Sequence, residues 1–179
     1  MKKIIILLAI ILILVSVFIF WFLKKAEQKN TVVNSFKECA EKGYPVMESY
    51  PRQCKIPDGK TFTEYIGNIL EKQDLIRITK PRPNDIISSP LNIKGEARGY
   101  WFFEASFPVK LYDGNNNLLV AIPAQAKSDW MTEEFVPFEV IIEFQKPKTQ
   151  NGTLVLEKDN PSDLPQNADQ LIIPVCFSE

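Results

Sequence analysis

Beyond residue 74 the chain alternates between apolar and polar positions. Leu91, Ile93, Gly95 and Ala97 interleave with Asn92, Lys94 and Glu96. In "GYWFFEASFPVKLYDGNN" (99–116), Trp101, Phe103, Ala105, Phe107, Val109 and Leu111 share one parity, while Phe102, Glu104, Ser106, Pro108, Lys110 and Tyr112 share the other. Successive side chains of a strand point to opposite faces, so this period predicts strands with one apolar face. It sends Trp101 and Phe103 inward and leaves Tyr100 and Phe102 outside. Asp113-Gly114 then signals a hairpin whose return strand carries Leu118, Val120 and Ile122. Phe138, Val140, Ile142 and Phe144 face one way, Glu139 and Glu143 the other. "LIRIT" (75–79), "GTLVLE" (152–157) and "LIIPVCF" (171–177) complete the set. About seven short strands in roughly 105 residues, with no helical period, predict an all-β fold: an immunoglobulin-like sandwich of two antiparallel sheets. A domain of that size buries enough apolar surface to fold alone.

The N-terminus follows a different pattern. Lys2 and Lys3 precede an unbroken apolar run, Ile4 to Leu23, in which only Ser16 is polar, and Lys24 and Lys25 close it. At about 1.5 Å per residue, such a run matches a hydrocarbon core of roughly 30 Å. In lipid its backbone must be satisfied internally, so residues 1–25 are expected to form a single transmembrane helix and membrane anchor. A cleaved signal peptide has a shorter apolar region and a small-x-small site, which Phe-Trp-Phe-Leu-Lys-Lys does not supply. Lysines flank both ends, so charge does not set the orientation.

Residues 26–35, "AEQKNTVVNS", read as a polar stalk. Residues 36–67 form a small module holding Cys39 and Cys54, and "NILEKQ" links it to the sandwich segment at 74–179. Two cysteines fifteen positions apart in a loop-rich stretch behind an anchor suggest a disulfide, and with it an oxidising, extracytoplasmic location. Cys176 stands alone, with parity opposite to Ile173, Val175 and Phe177, as a half-buried thiol or an intermolecular link.

The strand segment resembles a known family. Ser89-Pro90-Leu91 with Gly95, Trp101 with Phe103-Glu104-Ala105, Asp129-Trp130, Pro137-Phe138 and Asn160-Pro161-Ser162 fall in the order found in the immunoglobulin-like domain of bacterial spore germination proteins. The resemblance covers about residues 74–179. It implies a β-sandwich in a bacterial envelope protein, often behind an N-terminal anchor, and no enzymatic activity. Such domains also occur in bacteria that form no spores, and the partner domain that often accompanies them is not in this chain. "CKIPDGKTFTE" (54–64) is similar to a short stretch of Kazal-type protease inhibitors, but the module has two of the usual six cysteines. Asp58-Gly59 is better explained as a hairpin turn.

Composition narrows the chemistry. The chain has no histidine, which removes the commonest general base and metal ligand. Cys39 and Cys54 do not form a Cys-x-x-Cys redox motif. Glu133 and Glu134 adjoin Trp130, but neighbouring carboxylates without a cleft are weak grounds for a glycosidase. Asp113, Asn115 and Asn117 open like an EF-hand loop, yet positions six and twelve are Leu118 and Ala124 where Gly and Glu are needed. "EKDNPSD" (157–163) and Asn151-Gly152-Thr153 are explained by turn chemistry. Without Lys2, Lys3, Lys24 and Lys25, 17 basic residues face 22 acidic ones, a net of −5, which argues against a nucleic-acid partner. The expectation is a membrane-anchored, non-catalytic envelope protein with no cofactor or metal, whose sandwich contacts another protein. The surface to inspect is the loops 113–117 and 127–134, with Tyr100, Trp130 and Met131. The alternative is a solute- or glycan-binding ectodomain holding ligand near Trp130 and Tyr100.

Overall fold

The computed structural model describes residues 32–178 together with Val15, Ser16 and Phe18. Apart from those three, the residues of the expected anchor (1–25), and most of the expected stalk, therefore lie outside the described residues, among which no helix is long and apolar enough to cross a membrane. Two compact units emerge. One takes the described residues up to Glu48 with Gln53–Phe62, the other Ser49–Arg52 with everything from Thr63 onward.

The small unit contains helix α1 (Phe36–Glu41) and a three-stranded sheet in the order β1 (Val46–Met47), β2 (Gln53–Lys55), β3 (Thr61–Thr63). Ser35 caps the helix: its Oγ accepts from the Glu38 amide at 3.1 Å, and Glu38 Oε2 accepts from the Asn34 amide at 2.8 Å. Six residues are too few for a helix to persist on propensity alone. A disulfide holds it, joining Cys39 on α1 to Cys54 on β2 across a Cα–Cα distance of 6.1 Å. This is the pairing expected from the sequence, and closing such a loop stabilises the unit by roughly 3 kcal/mol. Both cysteines are fully buried with Val33, against Phe36, Tyr44, Ile56 and Phe62. Val33, which lies in the expected stalk, thus belongs to this core. Asp58-Gly59 makes the β2–β3 turn, with Gly59 at φ +95° and the Lys60 amide bonded to Asp58 Oδ1 at 2.9 Å.

The larger unit adds helix α2 (Ile69–Lys72) and strands β4 (Ile76–Lys80), β5 (Ile86–Ile87), β6 (Leu91–Arg98), β7 (Ser106–Asp113), β8 (Leu118–Ala126), β9 (Phe135–Ile142), β10 (Asn151–Glu157) and β11 (Gln170–Phe177). Their order is β4-β6-β9-β8-β7-β10-β11-β5. The β8–β9 link is only two residue pairs long, Gln125↔Glu139 and Ala126↔Phe138. Beyond that corner the strands form the two layers of a sandwich, β4-β6-β9 and β8-β7-β10-β11-β5. Two expectations change. An eighth strand, β5, is present, and it pairs parallel to β11, so the fold is not wholly antiparallel.

One cluster fills the interior. Phe107 meets Phe102 and Phe138 edge-on, at centroid distances of 5.0 and 4.9 Å, and Trp101, Ile93, Leu111, Leu154 and Ile173 are fully buried around it. Each such side chain contributes about 1.5–3 kcal/mol through burial.

The outer edge of β11 is sealed piece by piece. Asn68 acts as a surrogate strand: its Nδ2 donates to the Gln170 carbonyl (2.9 Å) and its Oδ1 accepts from the Ile172 amide (2.7 Å). The Asn84 amide takes the Pro174 carbonyl at 2.7 Å, and the Cys176 amide bonds to the Asp85 carbonyl at 2.9 Å, where β5 begins. Gly67, at φ +73°, lies so close to Ile172 that a Cβ would collide with its carbonyl. The side chain of Asn84, itself at φ +64°, reaches Glu64 Oε1 at 3.0 Å. Glu64 is only 8% exposed and receives Nε (2.8 Å) and Nη2 (2.6 Å) of Arg52. This bidentate pair joins Arg52 to Glu64 within the larger unit.

Candidate functional surface at the tip of the sandwich

Strands β6, β8 and β10 finish, and β7, β9 and β11 begin, at one end of the sandwich, here called the tip. It carries the loops 99–105, 127–134 and 158–169. Gly99–Trp101 forms a 3-10 turn. Gly99 fits because a Cβ there would strike the Thr132 and Trp130 carbonyls, and its amide bonds to the Glu134 carbonyl at 3.1 Å. The Trp101 carbonyl accepts from the Asp159 amide at 3.0 Å, so the third loop docks on the first.

The helical turn resets the strand parity. Trp101 and Phe102 are both buried, while Phe103 is 42% exposed, reversing the expected roles of Phe102 and Phe103. Strand β7 starts only at Ser106, after a tight reversal in which Phe103 and Ser106 exchange both backbone hydrogen bonds (2.9 and 3.0 Å). Glu104 and Ala105 occupy that turn at φ +49° and +61°. Two consecutive left-handed residues in a two-residue hairpin are ordinarily Asn-Gly, and each costs a side-chain-bearing residue about 1–2 kcal/mol. The tip therefore stores backbone strain beside an exposed aromatic ring. Trp101 adds a second local cost, since its fully buried Nε1 has no hydrogen-bond partner among the described residues.

The expected site residues divide. Tyr100 (50% exposed) and Met131 (77%) are displayed on tip loops, with Phe103 and Leu164 (47%). Trp130 is partly buried and packs against the core, a structural plug as much as a contact. Asp129 Oδ1 accepts the Met131 amide at 3.0 Å and shapes that turn. Loop 113–117 lies at the opposite end, because β8 separates it from loop 127–134. There Asp113 accepts hydrogen bonds from Asn117 Nδ2 and from the Asn117 and Asn115 amides, which hold its pKa down against a smaller push from burial. Near the tip, burial raises the pKa of Asp159, and Glu104 adds a smaller push in the same direction. Glu134 is an open carboxylate paired at 3.8 Å with Arg98, and no group of three or more His, Cys, Asp or Glu side chains among the described residues is placed to hold a metal. The tip offers apolar contact area. Sequence parity missed Phe103 because nothing in the residue string marks where a strand yields to a helical turn.

A family model for the immunoglobulin-like domain of bacterial spore germination matches residues 75–164. The chain belongs to this family. No curated protein and no solved structure matches the chain. The match to the germination immunoglobulin-like domain stops at Leu164, before β11, which pairs along all of β10. Most of the residues that carry the resemblance build the fold, while Phe103 among them is displayed at the tip. Ser89 Oγ accepts the Phe144 amide at 3.1 Å. Gly95 leaves room for the Arg77 carbonyl and the Phe138 ring. Asn160 and Ser162 tie their own loop together, with Ser162 Oγ on Asn160 Oδ1 at 2.6 Å and Asn160 Nδ2 on the Leu164 carbonyl at 2.9 Å. Tyr100 and Met131 stand outside that set of residues.

Proposed function

We propose that this chain is a single-pass, membrane-anchored bacterial envelope protein, without catalytic function, whose germination-type immunoglobulin-like domain holds a protein partner at its tip. The observation that carries the reading is the display of Tyr100, Phe103 and Met131 on loops fixed by a rigid sandwich, with strain stored at Glu104-Ala105. Strained backbone beside exposed apolar side chains is favoured where the display itself is used. The buried Cys39–Cys54 disulfide supports an extracytoplasmic location, and the family supports the envelope setting and a germination-related role.

A photo-crosslinking residue at position 100 of the full chain in its native cells tests this. The expected result is a discrete protein adduct, lost on adding F103S and M131S and not formed from position 146. Equal labelling from positions 100 and 146, or an adduct indifferent to F103S/M131S, refutes it. A change in tryptophan fluorescence with soluble cell-wall fragments would favour the glycan-binding alternative instead.

A further inference from the structure

The charge of the sandwich is not spread evenly. In the larger unit 17 acidic residues face 12 basic ones, a net of −5. The three tip loops, 99–105, 127–134 and 158–169, hold seven of the acidic residues and two lysines, which is also a net of −5. The remaining ten acidic and ten basic residues cancel. At the opposite end the connections 81–90, 114–117 and 143–150 carry Arg82, Lys146 and Lys148 against Asp85 and Glu143. The acidic excess is therefore a property of the tip and not of loops in general.

The few cations at the tip are already engaged. Lys127 Nζ turns back to Glu139 on β9 at 3.8 Å, and Lys158 Nζ donates to the Asn167 carbonyl at 3.5 Å. Arg98, where β6 enters the tip, stacks on the Phe135 ring at 4.0 Å and donates to the Asp74 and Glu133 carbonyls. Its carboxylate partner, Glu134, keeps 85% of its side chain exposed. Asp169 is neutralised by Lys72 at 2.6 Å. Glu104, Glu133 and Asp163 are exposed and pair with no basic group among the described residues. Asp159 feels this crowding, since Glu104 adds to the rise in its pKa that burial begins.

These carboxylates lie around the apolar display. Glu104 follows Phe103, Glu133 comes just after Met131 and Thr132, and Asp163 precedes the exposed Leu164. An interface with an apolar centre and a polar rim is matched by a partner whose rim has the opposite sign. The same field repels an anionic bilayer and nucleic acid.

Resting on the tip as the contact surface, we propose that its partner is a protein face with Lys and Arg arranged around an apolar centre. That centre takes Tyr100, Phe103 and Met131, while the cations meet the carboxylates of Glu104, Glu133 and Asp163. The apolar contacts hold the complex, and the charges select the partner and speed its arrival. Binding is then salt-dependent, because the screening length falls from about 10 Å at 0.1 M to about 3 Å at 1 M.

The test uses the full chain in native membranes, with the photo-crosslinking residue at position 100. One variant, E104Q/E133Q/D163N, neutralises the tip, and Asn tolerates the left-handed backbone at 163 (φ +54°). A second, E41Q/E48Q/E143Q, removes as many charges outside the tip loops. The unmodified tip is also compared in about 0.1 M and about 1 M sodium chloride. Tip neutralisation and high salt should each lower the adduct yield about fivefold or more, while the second variant stays within about twofold of the parent. The crosslinked partner peptide should carry net positive charge. The salt comparison keeps its force even if the tip variant folds poorly. An adduct that forms but ignores both tip charge and salt overturns this inference and leaves the tip reading standing. No adduct from position 100 removes both. Equal loss from the two variants, capture of an acidic segment, or a lipid adduct would also overturn it.

Discussion

Single side chains in this molecule carry costs and returns that can be separated. Glu64 is a nearly buried carboxylate whose pKa is lowered first by its hydrogen bonds from Arg52, against a desolvation that raises it, with Asn84 adding to the lowering. A depressed folded-state pKa means the ionised pair stabilises above the unfolded value of about 4.3 and is lost as pH falls through the folded value. Glu64→Gln is therefore expected to flatten the fall of melting temperature below about pH 5, measured by thermal unfolding across pH. Glu64→Ala should cost about 1–3 kcal/mol near neutrality, toward the lower end because the Arg52 side chain is 54% exposed and stays hydrated. The Glu104-Ala105 turn predicts the opposite sign. Glu104→Asn with Ala105→Gly should stabilise the domain by about 1 kcal/mol, after the unfolded-state entropy of the new glycine is subtracted, and raise its melting temperature. No rise would mean the turn stores no strain. Trp130→Ala should cost about 3 kcal/mol, because its ring packs on the core. Met131→Ser should stay within about 0.5 kcal/mol in the same unfolding measurement.

Among the elements, the tip shows why one loop depends on another. Gly99 lets the 3-10 turn press against the 130–132 backbone. Gly99→Ala would force Thr132 and Trp130 apart, and the expected result is a clear drop in melting temperature together with faster proteolysis within residues 127–134. The strands themselves were legible from alternation alone: the inward faces of β6, β9 and β11, and of β7 from Phe107 on, lie where Ile93, Phe138, Ile173 and Leu111 predict. The disulfide was legible from spacing and context. Phe103 was not, because a 3-10 turn shifts parity without a Gly or Pro inside the aromatic run. Neither was the Arg52–Glu64–Asn84 cluster, whose members are 12 and 20 positions apart in sequence with no period to link them. Strand β5, two residues long, is too short for any pattern to mark. Of the candidate site, Tyr100 and Met131 were found by their place outside the alternation, while the two loops first taken together sit at opposite ends of β8.

For the molecule as a whole, the envelope reading makes a prediction about accessibility. In intact cells, Cys39 and Cys54 should react with a membrane-impermeant thiol reagent only after reduction. If both stay silent until lysis and then react without reductant, the domain faces the cytoplasm and the proposed display of the tip falls with it. The edge seal on β11 has one more implication, for the order in which the chain is made. Strand β11 is the last in chain order, yet β10, β5, Asn68 and Asn84 all depend on it. Synthesis at about 5–20 residues per second lets early segments fold as they emerge. Here the segment around residues 66–87 must wait for a strand synthesised some ninety residues later before its polar groups find their partners. Until β11 arrives, the outer edge of β10 stays unpaired and this flank of the sandwich stands open.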